Sequence, residues 1–472
     1  MVGGGAAGLH AALEAAQRGA QVVLVSRKPL SESASFWAQG GLAGAVAPDD
    51  SPARHAEDTI NAGRAACRAS AVSILVDAAP GQINLLIERE VAFDREPDGS
   101  LSLGLEGGHS ARRIVHVGGS ETGRAITQTL AGLTAKTPAI SVREGVSALA
   151  LWSQGSRCHG VITDRGAICA PATVLATGGA AALWQRTTNP WGAIGAGSVL
   201  AAAAGADLAD LELCQFHPTA LALPGNPRDG ALITEAIRGE GAALVDRAGR
   251  RFTDELAPRD QVSGAILDRI DADGAGSVGL DLRGIDLDHF ATVKRTLAEA
   301  GLDPSLGPIP VAPAAHYTMG GIKVDLDAQS SLPGLFAVGE CSCTGLHGAN
   351  RLASNSLSEC FVFGSRAAAA ADRRSQPADP TAPLPNFRFV PPMAATREAV
   401  WKYAGPRRRA DQLERLLEDP YPLAAMIARA ALERRESRGP HRRVDAPRIA
   451  SEFDGVHLVR RPDGEIVRER WT

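Results

Sequence analysis

Long apolar runs are missing from this 472-residue chain. No stretch approaches the roughly 18 or more apolar residues of a membrane span, and no secretory leader stands at the start, so no membrane partner is indicated and a cytoplasmic location is expected. A strong charge of one sign is missing too. The 49 Lys and Arg against 53 Asp and Glu leave a formal net charge of −4, which gives no electrostatic reason for a nucleic acid or an anionic surface as partner. The patches Arg407-Arg408-Arg409 and Arg434-Arg435 stand among acidic residues and read as solvated helix faces. A disulfide framework is absent: seven cysteines, at 67, 158, 169, 214, 341, 343 and 360, are odd in number and scattered, which predicts reduced thiols. Cys341 and Cys343 form the one close pair, and without a second Cys or His pair at zinc spacing no metal site is expected. Repeats and low-complexity tracts are lacking beyond an alanine bias.

What is present begins at the first residues. Gly3, Gly5 and Gly8 spell G-x-G-x-x-G before the alanine-rich stretch Leu9 to Arg18 and the apolar run Val22-Val23-Leu24-Val25. That order predicts a phosphate-cradling turn, a helix and a parallel strand, with the helix N-terminus set against a pyrophosphate. Only Met1 and Val2 precede the glycines. The leading strand is therefore expected to be cut short, or the native start to lie upstream, at a cost to folding and cofactor retention. A second strand, Thr173-Val174-Leu175-Ala176, ends in Thr177-Gly178-Gly179, another place for backbone to meet a nucleotide.

A second cluster lies in the last third: Pro313 to Gly321 around His316, then Gly339-Glu340, then Gly345 to Arg351. Glycines let backbone approach a planar cofactor, while His316 and Arg351 would supply cationic donors for a carboxylate substrate. The alternative is a run of tight turns with one core histidine. Alternating strand and helix signals run to about residue 215; Pro, Gly and Asp turns with short amphipathic segments follow to about 316; nucleotide-binding character then resumes. Ser198 to Ala209 is a short apolar helix candidate, and a Pro-rich, weakly structured linker spans Arg373 to Ala394. Leu413 to Leu417 and Pro422 to Arg438 show helical spacing and read as a small helical bundle.

Glu106-Gly107-Gly108-His109-Ser110-Ala111-Arg112-Arg113-Ile114, Gln215-Phe216-His217-Pro218-Thr219-Ala220, Leu256-Ala257-Pro258-Arg259-Asp260 and Glu436 to His441, with the segments above, resemble the L-aspartate oxidases of the succinate dehydrogenase and fumarate reductase flavoprotein superfamily over nearly the whole chain. The resemblance implies an α/β fold: a discontinuous Rossmann-like FAD-binding domain (1–215 and 317–391), an inserted α+β capping domain (216–316) and a C-terminal helical domain (392–472). It implies FAD along Gly3, Gly4, Gly5, Ala6, Ala7 and Gly8 and under Arg27. Ala34-Ser35-Phe36-Trp37-Ala38-Gln39-Gly40-Gly41 would surround the isoalloxazine, Glu340 would bind ribityl or ribose hydroxyls, and Ser356 and Leu357 would border the flavin. Covalent relatives carry His where this chain has Ala34, so FAD is expected to be noncovalent. The chain departs from common patterns at Ser26, in place of an acidic ribose ligand, and at Ala196, where the family usually has Asp; the latter predicts weaker FAD binding.

On the substrate side the resemblance implies that His217, Thr234, His316 and Arg351 bind the carboxylates of L-aspartate and that Glu106 meets its amine. Glu106 is the discriminating residue, since succinate has no amine; read without the resemblance it is an exposed loop acid beside Arg112 or Arg113. Arg259 would be the catalytic arginine. Arginine is a poor base because its pKa exceeds 12, so a relay through Glu235 and Arg238, at i, i+3 spacing on a helix, is expected unless Arg259 acts by holding charge in place. The implied reaction yields iminoaspartate at the start of NAD synthesis, with O2 reduced to H2O2, fumarate as an alternative acceptor and quinolinate synthase as the enzyme that takes the product. The rival readings are a fumarate reductase or succinate dehydrogenase flavoprotein subunit, and a flavin-binding protein without catalysis.

Overall fold

The structure, a computed structural model, describes residues 1–154, 156–374 and 376–472. Its centre is a parallel sheet. Val22–Ser26 pairs with Ile140–Glu144, and Thr173–Leu175 with Leu335–Ala337. Val2 joins these pairs by bridging Val25 on one side and Leu175 on the other; its amide donates to the Val174 carbonyl at 2.9 Å and its carbonyl accepts from the Ala176 amide at 2.8 Å. The short leading segment therefore fills the middle of the sheet, and the chain enters the glycine turn in register. Such a sheet is buried on both faces, which is why its strands read as apolar runs rather than alternations; Leu24 and Leu175 are fully enclosed.

Helix Ala6–Gln17 follows the turn and packs against Asn355–Arg374 and Thr122–Lys136. Small residues make this approach close: a Cβ on Gly364 would lie 3.0 Å from the His10 ring. Helix Ala69–Glu88 corrects the expectation that no segment matches a membrane span. It is long and apolar enough to cross a bilayer by length and composition. Its buried face, including Val72, Leu75 and Val76, is taken by Leu346, Val362 and Phe363.

Beyond the parallel sheet, Cys214–Leu221, Ile309–Thr318, Val278–Asp281 and Ala243–Val245 form a four-stranded antiparallel sheet in that order. Helices Arg259–Asp273 and Ala291–Ala300 close its core through Val262, Ile266, Val293 and Leu297. A five-stranded sheet runs Ser342–Cys343, Gly321–Lys323, Leu208–Ala209, Val456–Arg460, Ile466–Arg470.

That last sheet corrects the reading of 392–472 as helical. Helices Ala394–Ala404, Ala410–Leu413 and Pro422–Glu433 are present, but the final residues form a hairpin that pairs with Leu208–Ala209. Two β-branched runs around Pro462-Asp463-Gly464 carry that signal. The candidate helix Ser198 to Ala209 is helix only over Ala196–Ala203; Gly205, at φ 91°, turns the chain into a strand. The linker expected over Arg373 to Ala394 is helical at both ends, since one helix runs to Arg374 and the next starts at Ala394; the described residues between have neither helix nor strand, yet they are tied down: Trp152 Nε1 donates to the Ala382 carbonyl at 3.0 Å and the Phe389 amide to the Leu149 carbonyl at 2.7 Å. The Arg patches are corrected as well. Arg408 and Arg434 are fully buried rather than solvated, because Arg434 meets Glu212 and Glu436 and Arg408 meets the Glu212 carbonyl and His441.

Candidate active site

A cavity of about 540 Å³ runs from the glycine turn to the four-stranded sheet. Its lining includes Gly3, Gly4, Gly5, Ala7, Arg27, Ala34, Ser35, Trp37, Ala38, Gln39, Gly40, Gly41, Glu340, Ser356 and Leu357, together with Glu106, His217, Thr234, Glu235, Arg259, His316 and Arg351. Four expected residues stand outside it. Ala6 gives its amide to Ser35 Oγ at 3.1 Å. Gly8 serves packing, since a Cβ there would lie 2.0 Å from the Gly3 carbonyl oxygen. Phe36 stacks edge-on against Trp37, and Arg238 lies behind Glu235.

The glycine end suits a dinucleotide. Gly3 has φ 119°, and a Cβ there would lie 2.1 Å from the Ala176 carbonyl oxygen, so a side chain would close the turn where backbone must approach a pyrophosphate. The wall continues through Val146, Ser147, Ala148, Leu149 and Thr177. Ser26, at the end of its strand, spends its hydroxyl on the Lys28 carbonyl at 2.6 Å, and Ala196 offers no polar group where it lines the wall. Gln39 Oε1 and Arg351 Nε are buried without partners and belong to lining residues; such atoms call for a ligand or water.

The other end is dense with positive charge. The Arg259 Nε donates to Glu235 Oε2 at 2.5 Å and its Nη1 to Gln215 Oε1 at 3.0 Å; Glu235 Oε1 lies 3.1 Å from Arg238 Nη2, so the three expected relay groups are contiguous. Arg351 stacks over the Tyr317 ring with its guanidinium carbon 4.6 Å from the centroid. Burial, then the neighbouring Arg259, lowers its pKa to about 10. His217 and His316 meet with ring centroids 4.9 Å apart. The expectation that His316 is a cationic donor is corrected. Arginine can only donate, so the 3.3 Å contact from Arg351 Nη2 makes His316 Nε2 the acceptor and leaves Nδ1, 2.7 Å from Thr188 Oγ1, as the protonated nitrogen. Burial and the charges of Arg259 and Arg351 hold this imidazole neutral, well below its ordinary pKa, and His217 is held neutral by burial and Arg259 first.

Glu106 is the counterweight. It is 2% exposed and bonds to His116 and Ser354, whereas Arg112 donates to the Leu103 carbonyl and Arg113 to Asp50 and Asp58. Burial pushes its carboxyl up, but His116, 3.3 Å away, and the Ser354 hydroxyl, at 2.6 Å, bring it down to about 2. Glu106 therefore brings an ionised carboxylate, free of any arginine partner, to a cavity in which Glu235 is already paired with Arg259 and Arg238.

Residues 1–357 match the FAD binding domain family and 412–468 the fumarate reductase flavoprotein C-terminal family. The chain is similar to L-aspartate oxidase of Mesorhizobium japonicum, 43% identical over 95% of this chain and 91% of the relative, and to that of Caulobacter vibrioides, 43% identical over 98% and 96%. The chain belongs to the L-aspartate oxidase family. Against the family's Nostoc member it is 48% identical over 78% of its own length and 66% of the relative's. An E. coli quinol fumarate reductase superposes with TM-score 0.87 at 28% identity, covering 99% of this chain and 95% of that one, and Mycobacterium smegmatis Sdh1 in complex with UQ1 with 0.83 at 31%, covering 100% and 94%. The cofactor of this L-aspartate oxidase family member is FAD, in a mixed α/β fold with FAD-binding and C-terminal domains.

The family motifs located the glycines, histidines and arginines but not what holds them. Gln215 sits inside a quoted motif and emerges as a clamp: while Oε1 takes Arg259, its Nε2 donates to Asn350 Oδ1 at 2.9 Å and to the Arg351 carbonyl at 2.8 Å. Ser354 holds φ 60°, a strained value for a residue with a side chain. Glu340 accepts from the Thr318 amide at 2.9 Å, and burial pushes its carboxyl up to about 7. A raised carboxyl makes the folded state bind its proton more tightly than the unfolded one, so stability present at low pH is lost as pH rises from about 4.5 to about 7. Thermal melts of flavin-free protein should therefore fall less steeply over that window for Glu340→Gln than for the parent; equal slopes would contradict the assignment.

Proposed function

We propose that the protein oxidises L-aspartate to iminoaspartate, the first step of NAD biosynthesis, passing electrons to O2 with H2O2 as product or to fumarate, and delivering iminoaspartate to quinolinate synthase. FAD, when bound, supplies the two-electron acceptor. The glycine turn, Arg27, the 34–41 segment, Glu340, Ser356 and Leu357 hold it, without a covalent bond, since the position that carries His in covalent relatives is Ala34. The finer architecture fits this reading: a FAD-binding domain from 1–215 and 317–391, a capping domain over 216–316, and a C-terminal unit that mixes helices with a hairpin. A cytoplasmic location suits it.

The residues divide the substrate by charge. Arg351, Arg259, His217 and Thr234 offer donors to two carboxylates, His316 orients Arg351 by accepting from it, and the field of the two arginines favours entry of a dicarboxylate. Glu106 accepts from the ammonium and fixes which carbon faces the flavin. Arg259, restrained by Glu235 and Gln215, places positive charge where the carboxylate-bearing carbons react. The observation that carries the reading is the buried, ionised Glu106 in an arginine-rich cavity, because a group so placed favours an amino dicarboxylate over a plain one.

The likeness to fumarate reductases supports a second reading, a flavoprotein subunit acting on succinate and fumarate. Anaerobic titration of the FAD-loaded protein separates them. Loss of oxidised-flavin absorbance with L-aspartate but not succinate is expected; bleaching by succinate alone would overturn the proposal.

A further inference from the structure

We propose that His116, outside the cavity, is the positioning residue that makes this site select an amino dicarboxylate, by holding the Glu106 carboxylate in one orientation together with Ser354. This rests on the reading of Glu106 as the partner of the substrate amine.

The geometry divides the labour. Glu106 Oε1 lies 3.3 Å from His116 Nε2, and Oε2 accepts from Ser354 Oγ at 2.6 Å. An ionised carboxylate only accepts, so Nε2 is the protonated nitrogen of His116. The two donors approach different oxygens and fix the plane of the carboxylate, leaving lone pairs for the cavity that Glu106 lines. A lone buried carboxylate is costly and is tolerated when paired. The basic side chains near it in sequence are committed elsewhere: Arg113 to Asp50 and Asp58, and the neutral His109 to the Ala353 carbonyl.

The ring has a built seat. His116 follows the strand Ile114–Val115, which runs between Leu42–Ala43 and Leu103–Gly104. A Cβ on Gly104 would lie 2.6 Å from His116 Cε1, and one on Gly41 would lie 3.0 Å from Cδ2. Gly104, in the neighbouring strand, thus presents glycine where the imidazole lies, without a left-handed φ that demands it, while Gly41, just before Leu42–Ala43, is kept small first by the Val115 carbonyl oxygen and Ile114 Cγ2, at 2.2 and 2.5 Å from a Cβ there. The absent side chain of Gly104 is explained by the ring that lies against it. Gly41 also donates its amide to Ser354 Oγ at 3.2 Å, so the same loop seats the ring and the hydroxyl that hold both oxygens.

The test compares kcat/KM for L-aspartate with the inhibition constant of succinate in His116→Phe, His116→Gln, Gly104→Ala and Glu106→Gln. Loss of one hydrogen-bonded partner of a charged group is typically worth about ten-fold or more, so His116→Phe should lower kcat/KM for aspartate by about ten-fold while succinate inhibition stays within about two-fold, because succinate carries no amine. His116→Gln, which keeps a donor, should recover part of the loss. Gly104→Ala, which displaces the ring without removing it, should repeat the phenotype and serves if His116→Phe does not fold. Equal weakening of both ligands, or no change in either, overturns the proposal. If Glu106→Gln discriminates less between the ligands but the His116 and Gly104 variants do not, the proposal alone fails; if Glu106→Gln leaves the discrimination intact, the reading beneath it fails and the proposal with it.

Discussion

Replacing Arg259 with Gln is expected to lower kcat for L-aspartate by about 10²–10³-fold, the usual effect of removing one preorganised charge from a closed site, with flavin content unchanged. The guanidinium is positioned rather than free. Glu235 takes Nε and Gln215 takes Nη1, so the orientation toward the cavity is set before substrate arrives. Glutamine can keep one of these contacts but carries no charge, and lysine cannot reproduce the fork. Both variants should therefore lose more in kcat than in KM. The loss should differ with direction of reaction. Reducing fumarate requires a proton at carbon, whereas oxidising aspartate does not, so Arg259→Gln should reduce fumarate turnover further than aspartate oxidation. Stopped-flow reduction by aspartate and turnover with fumarate measure the two separately. Equal losses would mean that Arg259 acts in both directions only by holding charge, and a loss confined to KM would remove it from the reacting centre.

How much of this was legible follows from how local each signal is. The glycine turn, its helix and the strand Val22–Ser26 are short-range patterns and lie where they were read. His217, His316 and Arg351 came from motifs spread over more than a hundred residues, and antiparallel pairing of Cys214–Leu221 with Ile309–Thr318 brings the two histidines together. Their charge was not legible, because it depends on Arg259 and Arg351 arriving beside them. Val2 completing the sheet was hidden for the same reason: a two-residue segment has no pattern, only partners on both sides. The terminal hairpin has a local signal in the runs flanking Pro462-Asp463-Gly464, but the helical spacing of Pro422 to Arg438 beside it is stronger. The burial of Arg408 and Arg434 was not, since charge runs say nothing about acids two hundred residues upstream.

Arg434 offers the largest expected effect on stability. Its guanidinium, with no exposed surface, donates to Glu212 Oε1 at 2.5 Å, Glu436 Oε1 at 3.2 Å and the Val456 carbonyl at 3.1 Å, with Asp210 at 3.6 Å. It thereby ties the strand register of the terminal hairpin to the segment that leads into Cys214–Leu221. Arg434→Met fills much of the volume but strands the Glu212 carboxylate. Asp210 would keep His457 at 2.5 Å and Glu436 would keep Arg438 at 2.8 Å, whereas Arg434 is the cation that meets Glu212. Breaking a buried pair on one side typically costs about 3–5 kcal/mol, a fall in Tm on the order of 3–5 °C for a chain of this size. Burial, offset only in part by Arg434, already raises the Glu212 carboxyl above its ordinary range, so without the cation it should shift further. The folded variant then takes up a proton that the unfolded chain releases, and its deficit should grow as pH rises above about 4.5. Adding Glu212→Gln removes the stranded charge and should restore more than half of the lost Tm at neutral pH. A double-mutant cycle of the two changes reads that coupling; additive losses would show that Arg434 contributes through packing on Phe453 rather than through its charge.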